Sequence, residues 1–180
     1  MSNTAELNQP QDQSNDMSGC MPAKPQAEHD WLHQLVGDWT YEAECLMGPD
    51  QPPMKSSGKQ SFSSFGGLWL VGDGTGTMPD GSPATTRITL GYDPQKERYV
   101  GSFIGSMMGN QWVYTGTRDA EGKVLTLDTE GPDFTKPGKT TAYQDILEIK
   151  SPDHHVLSSQ TKGENGEWVQ FMTAHYRRVT

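Results

Sequence analysis

Between Gly37 and Arg178, apolar and polar residues alternate along about ten short stretches, each of which ends at a Gly, Pro, Asp or Asn turn. In the first stretch, Trp39, Tyr41 and Ala43 fall on one side and polar residues fall between them. Alternate residues of a strand point to opposite faces of a sheet, so a period of two predicts β-strands. The predicted strands cover residues 37–47, 57–65, 68–76, 84–92, 98–107, 111–118, 124–130, 140–150, 155–162 and 168–179.

Short turns join consecutive stretches, and no helical pattern separates them. Strands joined by short turns pair antiparallel. Such a meander leaves two exposed edges unless the sheet closes on itself. We therefore predict an all-β fold, an up-and-down antiparallel β-barrel of about ten strands with one short N-terminal helix. A barrel of this size is wide enough to hold one small ligand.

The single helical pattern lies before the first strand, over residues 27–36. Trp31, Leu32, Leu35 and Val36 share one face of it, and Gly37 ends it. An apolar helix face needs a surface to cover, and one end of the barrel would provide it. Residues 1–26 are polar and contain no aromatic residue, which is typical of disorder. We predict a disordered polar tail over residues 1–26 and a barrel domain over residues 27–180.

The composition restricts the partners and the compartment. A formal net charge of -9 with scattered basic residues disfavours nucleic acid and anionic membranes, which attract clustered Lys and Arg. Cys20 and Cys45 are the two cysteines, and they do not predict a disulfide framework. The N-terminus lacks the apolar run of a signal peptide, and no stretch is long enough to span a membrane. These observations predict a cytoplasmic protein that binds a small molecule.

Four motifs resemble one bacterial family, which is catalogued as domain of unknown function 1579. They are residues 31–39 (WLHQLVGDW), 65–69 (FGGLW), 90–94 (LGYDP) and 171–178 (FMTAHYRR). The likeness covers roughly residues 28–179. It implies a lipocalin-like (calycin) barrel and no established activity.

A wider resemblance is to lipocalins and fatty-acid-binding proteins, which begin with Gly-x-Trp on the first strand and carry an Arg on the last. Gly37-Asp38-Trp39 and either Arg177 or Arg178 match that scheme. In those families the Trp and the Arg pack together and close one end of the barrel. A guanidinium stacked on an indole gains cation-π energy. The resemblance therefore implies a structural closure role for Trp39 and Arg178.

The leading functional hypothesis is a non-enzymatic barrel that binds a small apolar or amphipathic ligand. Concave apolar pockets with few polar groups are the usual geometry of such sites. Aromatic, methionine and aliphatic residues of the strands are the candidates for the lining, with one histidine. The candidate lining residues are Tyr41, Phe62, Trp69, Ile88, Phe103, Trp112, Tyr114, Tyr143, Met172 and His175.

An enzyme that acts in the same cavity, an isomerase or a hydrolase, is the first alternative. It requires a titratable group that faces the lumen beside a second polar residue. Asp145 is the strongest candidate because it shares a strand face with apolar residues, and Arg87 is a candidate partner. The sequence contains no catalytic motif, so no catalytic residue is assigned.

Two further alternatives remain open. The first is a haem-binding barrel. Nitrobindins are haem-binding barrels that use a His near the C-terminal end, and His175 is loosely similar in position. Alternation does not decide which face of its strand points inward.

The second is a ligand-free structural or homo-oligomeric module. Met107, Met108 and Trp112 near one hairpin tip could form the apolar patch of such a module. No cofactor is predicted.

The remaining histidines and glycines suggest no site. His29 and His33 are four residues apart on the helix and are expected at the surface. His154 and His155 follow a Pro-Asp turn and are expected in a solvated loop. Neither pair has the further ligands that zinc requires, so no metal is predicted. The glycines of residues 72–76 lead into a turn rather than a helix, which indicates strand curvature or close packing instead of a phosphate loop.

Overall fold

The computed structural model describes residues 23–46, 48, 51–78, 80–163 and 165–180. Within these residues, one helix precedes ten strands that form a closed antiparallel barrel. The elements are α1 (Ala27–His33), β1 (Gly37–Cys45), β2 (Met54–Phe65), β3 (Trp69–Thr77), β4 (Pro83–Asp93), β5 (Arg98–Gly105), β6 (Trp112–Arg118), β7 (Val124–Pro132), β8 (Thr140–Ser151), β9 (His154–Lys162) and β10 (Trp168–Arg178). The predicted fold is confirmed. Of the predicted tail, residues 1–22 lie outside the described part of the chain.

Each strand pairs with its neighbours in sequence, and β1 pairs with β10 to close the barrel. The two ends of the barrel differ. The helix end is where β1 begins at Gly37 and β10 ends at Arg178, and α1 lies there. The connections β1–β2, β3–β4, β5–β6, β7–β8 and β9–β10 border the other end, which we call the loop end.

The helix closes the helix end through apolar contacts and hydrogen bonds. Leu32 and Leu35 are buried, and the Trp31 indole N–H donates to the Gly122 carbonyl at 2.5 Å. The helix ends at His33, earlier than predicted, and Val36 is exposed. No helix in the described part of the chain is long and apolar enough to cross a membrane.

His29 is buried, in contrast to the expectation of a surface position. Its Nδ1 accepts a hydrogen bond from the Gln26 backbone N–H at 2.9 Å, and its ring meets the Tyr92 ring edge-on. His29 therefore caps the N-terminus of the helix, because it accepts a hydrogen bond from a backbone N–H that has no partner within the helix. His33 lies apart from it and contacts the Ser64 hydroxyl at 3.1 Å.

Arg178 joins three parts of the helix end. Its guanidinium carbon lies 4.2 Å from the centroid of the buried Trp39 ring. The same group donates to the carbonyls of Pro152 at 3.0 Å, Val36 at 2.7 Å and Gln34 at 2.8 Å. Arg177, its neighbour, points outward and is exposed. The geometry therefore distinguishes the two arginines that the sequence left as alternatives.

The glycines of β3 make room for side chains of neighbouring strands. A Cβ atom at Gly72 would lie 2.4 Å from the Phe62 ring, and one at Gly76 would lie 2.4 Å from the Tyr41 hydroxyl. Backbone and rings approach this closely only where a side chain is absent. Residues 72–76 are therefore part of strand β3, and the rings of Tyr41 from β1 and Phe62 from β2 pack over their glycines.

Candidate functional site

The barrel encloses a cavity of about 210 Å³. Its wall is mainly aromatic and aliphatic, with a few polar groups. The lining residues are Gln60, Phe62, Ile88, Leu90, Phe103, Trp112, Tyr114, Leu127, Thr129, Tyr143, Asp145, Leu147, His155, Leu157, Ser159, Phe171, Met172 and Tyr176. The interior is thus not filled solid by side chains.

Most of the candidate lining residues meet at this cavity. The structure places Phe62, Ile88, Phe103, Trp112, Tyr114, Tyr143 and Met172 in its wall. Trp112 therefore points into the barrel, and its indole N–H donates to the Met108 sulfur at 3.0 Å. It does not contribute to an outer apolar patch with Met107.

Tyr41 and Trp69 lie elsewhere. Tyr41 faces inward, but its ring covers the glycines of β2 and β3 and packs at a tilt against Tyr176, with ring centroids 5.4 Å apart. It is not part of the cavity wall. Trp69 lies at the start of β3, next in sequence to the buried Leu70, and its side chain therefore points to the outer face. Period-two alternation places Tyr41 on the inner face but does not show that a large ring there can cover the wall instead of the lumen.

His175 also lies outside the cavity. On β10 the inner face carries Met172, Ala174 and Tyr176, and His175 points outward. Its Nδ1 lies 3.2 Å from His154 Nε2, and the two rings stack. A haem held by His175 would therefore lie outside the barrel.

A β-bulge on β10 explains why the wall includes two consecutive residues. The register with β9 shifts between Gln170 and Met172, so Phe171 and Met172 both reach the cavity. A bulge places an extra residue in one strand and interrupts the alternation. Phe171 was not among the predicted lining residues for this reason.

The polar part of the wall is centred on the Asp145 carboxyl group. The Tyr114 hydroxyl donates to Asp145 Oδ2 at 2.5 Å, and the Ser159 hydroxyl donates to Oδ1 at 2.5 Å. Asp145 and Ser159 are direct partners in the register of β8 and β9, whereas Tyr114 reaches from β6 across β7. Asp145 therefore faces the lumen, as the enzyme alternative requires, and is not exposed on the outer face.

Arg87, the candidate partner of Asp145, does not contact it. Arg87 lies on the outer face of β4 and forms an ion pair with Asp73 at 2.7 Å. The two residues are register partners of β3 and β4, so they share the outer face.

Burial changes the acidity of the groups around this carboxyl. It raises the pKa of Asp145, although the bonds from Ser159 and Tyr114 act in the opposite direction. It also raises the pKa of the Tyr114 and Tyr176 hydroxyls above their ordinary value. The cavity therefore favours the protonated, neutral form of each of these acids.

His155 is a cavity residue that sequence reasoning missed. It is 2 % exposed, its ring stacks on Tyr176 with a centroid distance of 4.4 Å, and it meets the edge of Trp39 at 4.4 Å. Burial lowers the pKa of this imidazole to about 3. The signal was present in the alternation of His155, Leu157 and Ser159 along β9, but the preceding turn favoured a loop interpretation.

Three polar atoms of the wall lack a hydrogen-bond partner among the described residues. They are Gln60 Nε2, Thr129 Oγ1 and His155 Nδ1. Their side chains are 7 %, 8 % and 2 % exposed, respectively. Buried polar atoms in proteins are nearly always satisfied by protein, water or ligand. All three atoms belong to residues that line the cavity.

Three aromatic rings lie between the cavity and the loop end, and we call Trp112, Tyr143 and Phe171 the aromatic collar. Trp112 and Tyr143 meet edge to face at 4.9 Å, and Tyr143 and Phe171 at 6.1 Å. The Tyr143 hydroxyl donates to the Pro132 carbonyl at 2.6 Å. The position of the Trp112 ring requires Gly131, where a Cβ atom would lie 2.1 Å from the ring. A ligand that enters from the loop end would pass this collar.

Within the described ranges, no group of three or more His, Cys, Asp or Glu side chains is arranged to hold a metal ion. Cys45 is a free thiol, and burial raises its pKa.

The closed ten-stranded barrel with an end-capping helix and an interior cavity defines the protein as a lipocalin-like β-barrel. The chain belongs to the family described as "Protein of unknown function (DUF1579)", whose model matches residues 24–178. The family that the four sequence motifs predicted is confirmed. No curated protein matches this sequence.

Solved structures with similar folds share little sequence with this chain. Rv2717c from M. tuberculosis is 16% identical with a TM-score of 0.60, and the match covers 87% of this chain and 100% of that one. The S-type phycobiliprotein lyase CPES from Guillardia theta is 15% identical with a TM-score of 0.57, covering 87% and 99%. A redesigned beta barrel, mFAP0, bound to DFHBI is 16% identical with a TM-score of 0.46, covering 81% and 99%. The first two similarities support the barrel fold.

Proposed function

We propose that this protein is a non-enzymatic carrier or sensor that binds a small, mainly apolar ligand inside its barrel. One observation carries the proposal. An unfilled apolar cavity is lined by three residues, Gln60, Thr129 and His155, that each have a buried polar atom with no partner among the described residues. An unsatisfied buried polar group destabilises a protein by about 1–3 kcal/mol, so a ligand that satisfies such groups gains affinity from them.

The cavity size limits the ligand. An apolar cavity of about 150 Å³ holds one benzene molecule, and this cavity measures about 210 Å³. A single ring with a short polar side chain is the matching size. The aromatic collar would contact the ring, and the polar atoms deeper in the wall would contact the side chain.

The small-molecule partner and the cytoplasmic setting belong to the same proposal. The net charge of -9 supports a partner other than nucleic acid. The free, partly buried Cys45 thiol is consistent with a reducing compartment.

Native purification followed by mass spectrometry of a denatured extract tests the proposal directly. We expect a small molecule that is released on unfolding. Probe binding tests it independently, with ethylbenzene and 2-phenylethanol as ligands of the right size, measured by calorimetry. Binding of neither probe together with an empty extract would contradict the proposal.

A cavity-filling variant locates the binding. Leu157 lines the cavity, so Leu157→Trp should occupy it and weaken 2-phenylethanol binding at least about tenfold, as displacement from a single enclosed site requires. Val113→Trp is the matched control because Val113 is 63% exposed on the outer face. Circular dichroism verifies that both variants are folded. Equal binding by the two variants would place the site elsewhere.

Acid–base catalysis is the second candidate function, and the Asp145 cluster is the observation that favours it. A carboxyl group with a raised pKa faces the lumen beside the Tyr114 and Ser159 hydroxyls, as proton transfer to a bound ligand requires. Deuterium exchange at the carbon next to the carbonyl of phenylacetone, followed by NMR, tests this function. Exchange that is faster than in buffer and lost in Asp145→Asn would favour the enzyme over the carrier.

A further inference from the structure

We propose that the cavity selects a small organic cation, a ring that carries an ammonium group, and that the Asp145 carboxylate is its counter-ion. This inference rests on the proposed function and specifies the chemical class of the ligand. Its basis is the charge of the wall, the hydrogen bonds that hold the carboxyl group, and the aromatic rings around it.

The wall contains an acid without a basic partner. Among the described residues that line the cavity, Asp145 is the only carboxylic acid, and none is Lys or Arg. His155 is the one basic side chain in that set, and burial keeps it neutral with a pKa of about 3. A buried carboxylate needs a positive partner, and the wall does not provide one. A bound cation would.

The hydrogen bonds prepare the carboxyl group for a ligand. Tyr114 and Ser159 each donate to one carboxyl oxygen at 2.5 Å. Each oxygen has further acceptor capacity, because an ionised carboxylate offers about four lone-pair directions. The two hydroxyls therefore fix the orientation of the group and leave room for an ammonium N–H. Charge-assisted bonds of this kind are stronger than neutral ones.

The rings of the wall favour the same charge. The cavity is lined by Tyr114, Tyr143, Trp112, Phe103 and Phe171. The faces of aromatic rings attract cations, and more strongly when the cation is desolvated. An anion would meet both these faces and the Asp145 carboxylate, so the wall opposes it.

Binding would be coupled to a proton. In the ligand-free barrel, burial favours the protonated carboxyl group. When the ammonium ion enters with all its protons, the Asp145 proton leaves to solvent and a carboxylate–ammonium pair remains. The preference for the cation should therefore increase with pH.

Four probes of one size test the inference: ethylbenzene, 2-phenylethanol, 2-phenylethylamine and phenylacetate. At pH 8, we expect the intact protein to bind the amine at least tenfold more tightly than the alcohol, and phenylacetate more weakly than either. Asp145→Asn should reduce the amine-to-alcohol affinity ratio at least tenfold. Asp73→Asn, which removes an outer carboxylate, should retain the ratio.

The outcomes separate the two proposals. If the alcohol and ethylbenzene bind and the amine binds no more tightly, the carrier function stands and the cation inference is overturned. If none of the probes binds, the cation inference is overturned, and the carrier function is overturned with it when the native extract is also empty. If Asp145→Asn does not fold, Asp145→Ser, which keeps a hydroxyl for Tyr114 and Ser159, replaces it with the same expected loss.

A pH series from 5 to 8 supplies the last test. The groups that face Asp145 are Tyr114 from β6, Tyr176 from β10 and Ser159 from β9, while β7 presents the apolar Leu127. His155 lines the same cavity further along β9. Both tyrosines and His155 stay neutral across this range. We expect the amine-to-alcohol ratio to rise with pH, and a flat or falling ratio would overturn the role of Asp145.

Discussion

Single residues determine the chemistry of the barrel interior through burial. His155 and Asp145 lie in the same wall, and burial shifts the pKa of each in the direction that opposes charge. Their effects on stability therefore have opposite signs. The raised pKa of Asp145 contributes stability at low pH that is lost as the pH rises through its folded-state pKa. The lowered pKa of His155 contributes stability at high pH that is lost as the pH falls.

The His155 effect can be isolated with His155→Phe. Unfolded histidine takes up a proton near pH 6.5, whereas folded His155 stays neutral down to about pH 3. Acidification in this window therefore stabilises the unfolded state, by about 1.4 kcal/mol per pH unit. Phenylalanine keeps the stacking on Tyr176 and removes the proton.

We expect the free energy of unfolding of His155→Phe, relative to the intact protein, to increase by about 2 kcal/mol between pH 7 and pH 5. Urea denaturation at both pH values measures it. The opposite contribution of Asp145 is present in both proteins and cancels in the difference. Parallel pH dependences from pH 8 down to pH 5 would contradict the assignment.

At the scale of elements, β10 performs two tasks. Its bulge directs both Phe171 and Met172 to the cavity, and its last residue, Arg178, bonds to the carbonyls of Gln34, Val36 and Pro152. The strand therefore shapes the wall and attaches the helix segment and the β8–β9 turn to the barrel. The resemblance to lipocalins predicted the Trp39–Arg178 contact, but it did not predict these three hydrogen bonds.

Arg178→Lys tests this attachment. A lysine has one ammonium group and cannot reproduce a planar fork that reaches three separate carbonyls. Because hydrogen bonds from charged donors contribute about 1.5–3 kcal/mol each, we expect the free energy of unfolding to fall by about 2 kcal/mol. Arg177→Lys, at an exposed outer position, should change it by less than about 0.5 kcal/mol. Equal effects in urea denaturation would exclude this role of Arg178.

The whole molecule is a closed sheet with a helix at one end and the aromatic collar towards the other. The cavity is enclosed only when the sheet closes, and the pairing of β1 with β10 closes it. A ligand in it therefore binds the folded state alone and stabilises the protein in proportion to its concentration relative to its dissociation constant.

Natively purified protein should accordingly melt at a higher temperature than the same protein after unfolding, dialysis and refolding. At a ligand concentration of about 100 times the dissociation constant, the stabilisation is about 2.7 kcal/mol, which corresponds to roughly 5–10 °C for a chain of this length. Saturating 2-phenylethanol should restore part of the difference. Identical melting curves for all three samples would argue against a retained ligand.

Most of the fold could be predicted because its signals are local. The predicted strands over residues 124–130 and 140–150 correspond to β7 (Val124–Pro132) and β8 (Thr140–Ser151). Errors occurred where tertiary contacts override local pattern. The helix ends at His33, before the last apolar residue of its stripe, because Leu35 already reaches the core from a turn.

The site could be predicted only in part. Seven candidate lining residues reach the cavity. Six of them lie on regular stretches of strand where alternation identifies the inner face, and Met172 adjoins the bulge on β10. His175 and Phe171 could not be assigned, because the bulge on β10 interrupts that alternation. Arg87 was paired with Asp145 on charge alone, whereas the register of β3 and β4 places it beside Asp73.

The sequence by itself determined the number of strands, their order and the closure of the barrel. The strand period and the turn residues are set by a few neighbouring positions. Because the turns are short, consecutive strands can pair only antiparallel. Only the tertiary structure decided that the lumen stays unfilled, that Tyr114 reaches Asp145 across β7, and that His155 is buried with an unpartnered nitrogen. These features depend on distances between residues far apart in the chain, which are set when β1 meets β10.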